Sequence, residues 1–148
     1  MLATVRDLLS VKGDKVWSVS PETTVIDALQ LLADKQVGAL LVLDGDQIAG
    51  IVSERDFVRR IAADQSCHLG QPVREIMTQD VFTIHPDDDL DACMQWMTEK
   101  HIRHLPVVEQ GELVGLVSIG DVVKAIIVSH EFTIEQLSKF IDGGGYNT

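Results

Sequence analysis

Long apolar runs are missing from this chain, and their absence removes the first class of function. The most apolar stretch, Ala39-Leu40-Leu41-Val42-Leu43, is strand-sized and ends at Asp44. A membrane span needs ~18 such residues. The N-terminus, MLATVRDLLSVKGDKVW, carries charges early and lacks a signal peptide's apolar core and small-residue cleavage site. The expectation is a soluble, cytoplasmic protein with no membrane partner. Cysteine is scarce too. Cys67 and Cys93 form no CxxC pair, imply no disulfide framework and suit a reducing compartment. Positive charge is also in deficit, with 12 Lys and Arg against 23 Asp and Glu and a net charge of −11. The acidic residues are dispersed, so the surface repels a phosphate polymer and nucleic acid is not an expected partner. A small anion can still bind where a few cations converge.

Catalytic signatures are missing as well. Gly50-Ile51-Val52-Ser53-Glu54 is not G-x-S-x-G, and no nucleophile–base pair can be read. His101 and His104 are three apart, and Glu99 completes no metal-ligand motif with them. Gly143-Gly144-Gly145 follows a helical pattern instead of preceding one, so it is no phosphate loop. Neither an enzyme nor a metal site is expected. Cys93 falls on an apolar stripe and is expected to be core, whereas Cys67 beside His68 reads as a free surface thiol.

What the chain does contain is a repeat. Residues 16–61 align without gaps on residues 81–126, and Pro21/Pro86, Lys35/Lys100, Gly50/Gly115, Ser53/Ser118 and Asp56/Asp121 coincide. Upstream, VRDLL at 5–9 answers VREIM at 73–77. Each copy reads as β-α-β-β-α. A short strand around Trp17 or Phe82 ends at the proline. Val25, Ala28, Leu29 and Leu32, matched by Leu90, Cys93, Met94 and Met97, have the spacing of one buried helical stripe. Thr23 or Thr24 and Asp88 or Asp89 are the expected N-caps. Strands are predicted at about 39–43 and 47–53 around Asp44-Gly45-Asp46, a hairpin signal. Their counterparts are about 104–108 and 112–118, joined through Gln110-Gly111. The closing helix of each copy starts just after Ser53 or Ser118. The second is expected to run towards Phe140 and Ile141 before the glycines and a mobile tail. The repeat divides the chain into 2–61, a connection at 62–72, 73–128, and a helix and tail at 129–148.

At Gly50-Ile51-Val52-Ser53-Glu54-Arg55-Asp56 and Gly115-Leu116-Val117-Ser118-Ile119-Gly120-Asp121, both copies resemble the CBS signature. It is a glycine and apolar strand end leading into Ser/Thr-x-x-Asp at a helix start. The second copy also carries the family's basic approach to Leu-Pro-Val-Val, as Arg103-His104-Leu105-Pro106-Val107-Val108. The resemblance covers about residues 2–128. It implies an α/β fold of two tandem CBS units related by a pseudo-twofold axis, with ligand clefts beside Asp56 and Asp121. It also implies a homodimer and a non-catalytic regulatory module that binds an adenine nucleotide: AMP, ADP, ATP or NAD(H).

The residues allow two readings at each position. Ser-x-x-Asp is a helix capping box on its own. The same helix N-terminus also suits a phosphate, and a carboxylate suits the two hydroxyls of a ribose. The resemblance implies Asp on ribose, with Ser and helix N–H groups near phosphate, and assigns Ser53, Glu54, Arg55, Asp56, Ser118, Ile119, Gly120 and Asp121 to the sites. In similar proteins a basic pair contacts phosphate, which points to Arg103 and His104, and the bland alternative is a solvated strand edge. Their counterparts Gly38 and Ala39 can offer only backbone and space, so the two sites should be unequal. Arg55 reads equally as a solvated helix face. Trp17 and Phe82 read as core, with adenine contact as the alternative. The rival for the whole chain is a pair with empty clefts, acting as a dimerisation or docking subunit for a regulated protein.

Overall fold

In the computed structural model, residues 3–143 are described. They form two compact units, Lys15–Phe82 and a second made of residues up to Asp14 together with Thr83 onwards. The repeats and the compact units therefore divide the chain differently. The stretch that precedes the first repeat packs with the second repeat, and the stretch that precedes the second repeat packs with the first.

The Lys15–Phe82 unit contains β1 (Ser18–Val19), α2 (Val25–Lys35), β2 (Ala39–Asp44), β3 (Gln47–Ser53) and α3 (Glu54–Asp64). α2 is named as the second helix because α1 (Val5–Lys12) comes earlier in the chain, in the other unit. β1 lies parallel to β2, and β2 antiparallel to β3, in one three-stranded sheet. Thr24 caps α2, its side chain accepting the Asp27 N–H at 3.3 Å. The predicted stripe faces inwards: Val25, Ala28 and Leu32 join Leu40, Val42, Val52, Phe57, Val73 and Ile76 in one buried cluster. Val73 and Ile76 come from the stretch after the connection, a short 3-10 turn at Val73–Glu75. That stretch is tied down by Val73 N–H to the Thr23 carbonyl (2.8 Å) and Arg74 N–H to the Pro21 carbonyl (3.1 Å).

The other unit contains α1, α4 (Leu90–Lys100), β4 (His104–Glu109), β5 (Glu112–Ser118) and α5 (Ile119–Gly143). Its buried residues answer the first cluster position by position. Leu90, Cys93, Met97, Leu105, Val107, Val117 and Val122 are supplied by the repeat, and Val5 and Leu8 by α1. α1 docks as its counterpart does, through Val5 N–H to the Asp88 carbonyl (3.0 Å) and Arg6 N–H to the Pro86 carbonyl (2.7 Å). The Arg6 guanidinium reaches Asp87 at 3.1 Å and Glu109 at 2.6 Å. A Thr4–Asp7 capping box starts α1 as a full helix, where the corresponding VREIM stretch makes only a turn.

The first strand of each copy needs a correction. β1 starts after Trp17, and Phe82 lies in no strand. In the second copy the strand shrinks to one bridge, Ile84 with Val107. The cause is Pro106. In the first copy the Leu41 N–H donates to the Trp17 carbonyl at 3.3 Å. Pro106 stands where Leu41 does and has no N–H to give Phe82. The helix α3 also continues through Asp64, which takes the first residues of the expected 62–72 connection into regular structure. The last helix runs to Gly143, and the expected tail lies outside the described residues.

Candidate functional site

Each closing helix starts from the end of a hairpin strand, which fixes where Ser-x-x-Asp stands. In the first unit, Ala39 of β2 pairs with Ser53 of β3, and the Gly38 carbonyl accepts the Glu54 N–H at 3.1 Å. In the second, His104 pairs with Ser118, and the Arg103 carbonyl accepts the Ile119 N–H at 2.8 Å. Gly38-Ala39 and Arg103-His104 are thus brought beside their own signature in each unit.

The carboxylates cap the helices. The Ser53 N–H donates to Asp56 Oδ2 at 2.8 Å, and the Ser53 hydroxyl donates to the same oxygen at 3.2 Å. The Thr78 hydroxyl donates to Oδ1 at 3.3 Å. The Ser118 N–H donates to Asp121 Oδ2 at 2.9 Å, and the Asp121 N–H donates to Ser118 Oγ at 3.1 Å. Three N–H groups at the start of α5, on Ser118, Ile119 and Asp121, therefore have protein partners. Among the described residues, the Gly120 N–H is the one at this helix start left for a ligand. Gly120 also has no side chain to cover it, and an added Cβ would meet only Ser118 Oγ, at 3.7 Å.

The second unit carries an open groove of about 660 Å³ in front of this helix start. Arg103, Ile119, Gly120 and Lys124 line its signature end, and Val123 and Ile127 its apolar side. Three of the residues expected at the site, Arg103, Ile119 and Gly120, converge there. Lys124 was not among them, although its i+3 relation to Asp121 puts it one turn further along the same helix.

A cation that the repeat alone does not announce, Lys12, lies against the same carboxylate. Its Nζ is 2.5 Å from Asp121 Oδ2. Burial by itself raises the Asp121 pKa, but the hydrogen bonds from Lys12 and Ser118 outweigh it and hold the carboxyl below its ordinary value. His104 is half-buried. Burial, with help from the charges of Lys12 and Arg103, lowers its pKa below the ordinary imidazole value against the pull of Asp121. Its ring is therefore neutral at pH 7, and acidification is needed before it adds a positive charge to the site.

The remaining expected residues are placed as follows. Glu54 and Arg55 are exposed in the first turn of α3. Trp17 is half-buried against the first unit's core, and Lys15 Nζ and Lys35 Nζ stand 4.4 and 4.3 Å from its ring centroid. The ring thus packs on the core and is covered by ammonium groups. Phe82 is half-buried in an irregular stretch. Cys93 is buried, and burial together with the nearby Asp88 and Asp89 charges pushes its thiol up to about 11. Cys67 is exposed. Among the described residues, no helix is long and apolar enough to cross a membrane, and no three His, Cys, Asp or Glu side chains are grouped to hold a metal ion.

Comparison with known proteins adds relatives to this geometry. The family model described as CBS domain matches residues 5–63 and 73–128. The chain is 36% identical over 150 residues to the mitochondrial CBS domain-containing protein CBSX3 of Arabidopsis thaliana, covering 95% of this chain and 73% of that one. Among solved structures, the CBS-domain containing protein ATU1752 from Agrobacterium tumefaciens is 40% identical. It superposes with a TM-score of 0.82 over 84% of this chain and 94% of its own. CBSX2, solved in complex with AMP, is 29% identical with a TM-score of 0.70, covering 86% of this chain and 98% of its own. PAE2072 from Pyrobaculum aerophilum, also complexed with AMP, is 28% identical with a TM-score of 0.69, over 80% of this chain and 88% of its own.

Proposed function

The chain belongs to the CBS domain family, and from that premise we propose that it is a non-catalytic regulatory module whose ligand is an adenine nucleotide. One observation carries the reading. In each unit a capped helix N-terminus holds a carboxylate, Asp56 or Asp121, within reach of a ligand laid along the strand end. In the second unit Arg103, the Gly120 N–H and Lys124 share a groove with that helix start. A carboxylate takes a ribose diol, and cations with a free N–H take a phosphate. Two family members solved with AMP support this assignment of ligand class. AMP, ADP, ATP and NAD(H) all carry both groups. The sulfonium of S-adenosylmethionine gains nothing from Arg103. The ligand would act by binding one conformation, or one partner-bound state, more tightly than another.

Isothermal calorimetry tests the reading directly. AMP, ATP or NADH should bind with a free energy on the order of −4 to −8 kcal/mol. Asp56→Asn and Asp121→Asn should each weaken binding by about 1.5–3 kcal/mol without unfolding the protein. Variants that bind as the parent does and only melt earlier would reduce both carboxylates to helix caps. A second reading has its own support: large apolar side chains stand exposed on the closing helices, Val58 at 66%, Ile127 at 50% and Ile134 at 62%. They suit a homodimer or a docked protein partner. Sedimentation of the nucleotide-free protein tests this, since a monomer at every concentration would remove the dimer.

A further inference from the structure

Lys12 makes the closest contact at the second unit's carboxylate, from a segment that lies outside the aligned repeat. Its Nζ is 2.5 Å from Asp121 Oδ2 and 2.6 Å from the Leu116 carbonyl oxygen, so it bridges the helix start and the strand before it. The two side chains are 34% and 28% exposed. The pair is sheltered enough to escape full screening by salt. Oδ2 also takes the Ser118 N–H, which fills both of its acceptor positions. The ammonium is presented from a fixed place. Lys12 is the last residue of α1, and Gly13 turns the chain away with φ 98 while its N–H returns to the Leu9 carbonyl at 2.8 Å.

The first unit differs at the matching point. Counted from the shared Val-Arg of VRDLL and VREIM, the residue answering Lys12 is Asp80. The donors on Asp56 are the N–H and hydroxyl of Ser53 and the hydroxyl of Thr78. A hydroxyl yields to a ligand by rotating about one bond. A bound ammonium yields only by breaking an ion pair.

We propose that Lys12 is a built-in competitor for the Asp121 carboxylate, holding by an ion pair one of the two oxygens a ribose diol would use, whereas the side-chain donors on Asp56 are hydroxyls that can rotate away. The inference rests on the nucleotide-binding reading and adds the regulation of one of its sites. A nucleoside at Asp121 must displace or share the ammonium. A nucleoside monophosphate offers the displaced ammonium a new partner in its phosphate and so loses less. Lys12 lies at the end of α1, next to the Asp14–Lys15 boundary between the two compact units.

The test is titration of the full-length, 15N-labelled protein with adenosine and with AMP, followed at the Gly120 amide. Parent, Lys12→Met, Lys12→Gln and Asp121→Asn are compared. Both Lys12 variants should bind adenosine about fivefold more tightly than the parent, the gain expected from removing a partly exposed ion pair. The gain for AMP should be smaller. Adenosine binding that depends on Asp121 but is unchanged or weakened in both Lys12 variants overturns the competitor role and leaves the nucleotide reading standing. No response at Gly120 to either ligand in any variant removes the second site and the competitor role with it, and silence at the matching Arg55 amide as well removes the nucleotide reading. A readout without ligand checks the contact itself: the Asp121 carboxyl, titrated by 13C NMR, should move to higher pH in both Lys12 variants. An unmoved carboxyl would show that the ion pair does not hold it.

Discussion

Gly50 and Gly115 occupy the same place in the repeat, yet they are glycine for reasons of different hardness. A Cβ on Gly50 would lie 2.7 Å from the Thr78 carbonyl oxygen and 2.8 Å from Met77 Sδ. A Cβ on Gly115 would lie 2.8 and 3.0 Å from the two methyl carbons of Leu9. The first obstacle is backbone, held by reciprocal hydrogen bonds between Ile51 and Thr78 at 3.0 and 2.9 Å. The second is the end of a side chain that can change rotamer. Gly50→Ala should therefore cost about 1–3 kcal/mol of stability, as overpacking does, and Gly115→Ala clearly less. Leu9→Ala should recover most of the Gly115→Ala loss in a double mutant, whereas Met77→Ala should not rescue Gly50→Ala, because the carbonyl remains. Urea denaturation of the four variants and two doubles measures this. Equal costs at the two glycines would mean that the docked segments are not what selects them.

At the scale of elements, the docked segments carry more of each unit than their length suggests. Val5 and Leu8 fill the positions in one core that Val73 and Ile76 fill in the other. Burying each is worth about 1.5–3 kcal/mol. Removing residues 1–14 should strip hydrogen-exchange protection from the β4–β5 hairpin and leave β2–β3 nearly as protected as before. Loss spread evenly over both hairpins would contradict the division of the chain into these units. This exchange of segments also marks where the sequence stops being readable. The hairpins were legible because Asp44-Gly45 and Gln110-Gly111 punctuate runs of apolar residues, and Gly45 and Gly111 do take positive φ. The helical stripes were legible from i, i+3, i+4, i+7 spacing. The loss of the second copy's first strand follows from a single proline, whose missing N–H matters only once its partner strand is known. No periodicity says which core a docked segment enters. For that reason Lys12 escaped the reading of the site, although Asp121, Arg103 and Gly120 did not.

Across the whole molecule, a chain of net charge −11 sets a lysine directly on one of its two matched carboxylates. Lys12 is paired with Asp121, and Arg103 and Lys124 line the groove at the start of α5. The matching residues in the first unit are Asp80, Gly38 and Arg59. Arg55 stands where Gly120 does, so the two helix starts differ in where their cations lie, and the proposed phosphate pole of the second rests on Arg103. Arg103 is exposed and lines the groove with Gly120. A guanidinium makes two parallel hydrogen bonds to a phosphate, a geometry that Ala cannot replace. Arg103→Ala should therefore weaken AMP binding roughly tenfold, about 1.4 kcal/mol, and leave adenosine binding nearly unchanged. Raising the salt concentration should narrow the difference between parent and variant, since exposed charge contacts are screened over about 10 Å at 0.1 M. Calorimetry on parent and variant with both ligands at two salt concentrations measures this. Equal losses for AMP and adenosine would place Arg103 under the base or in support of the strand, and the phosphate pole would have to be sought at Lys124.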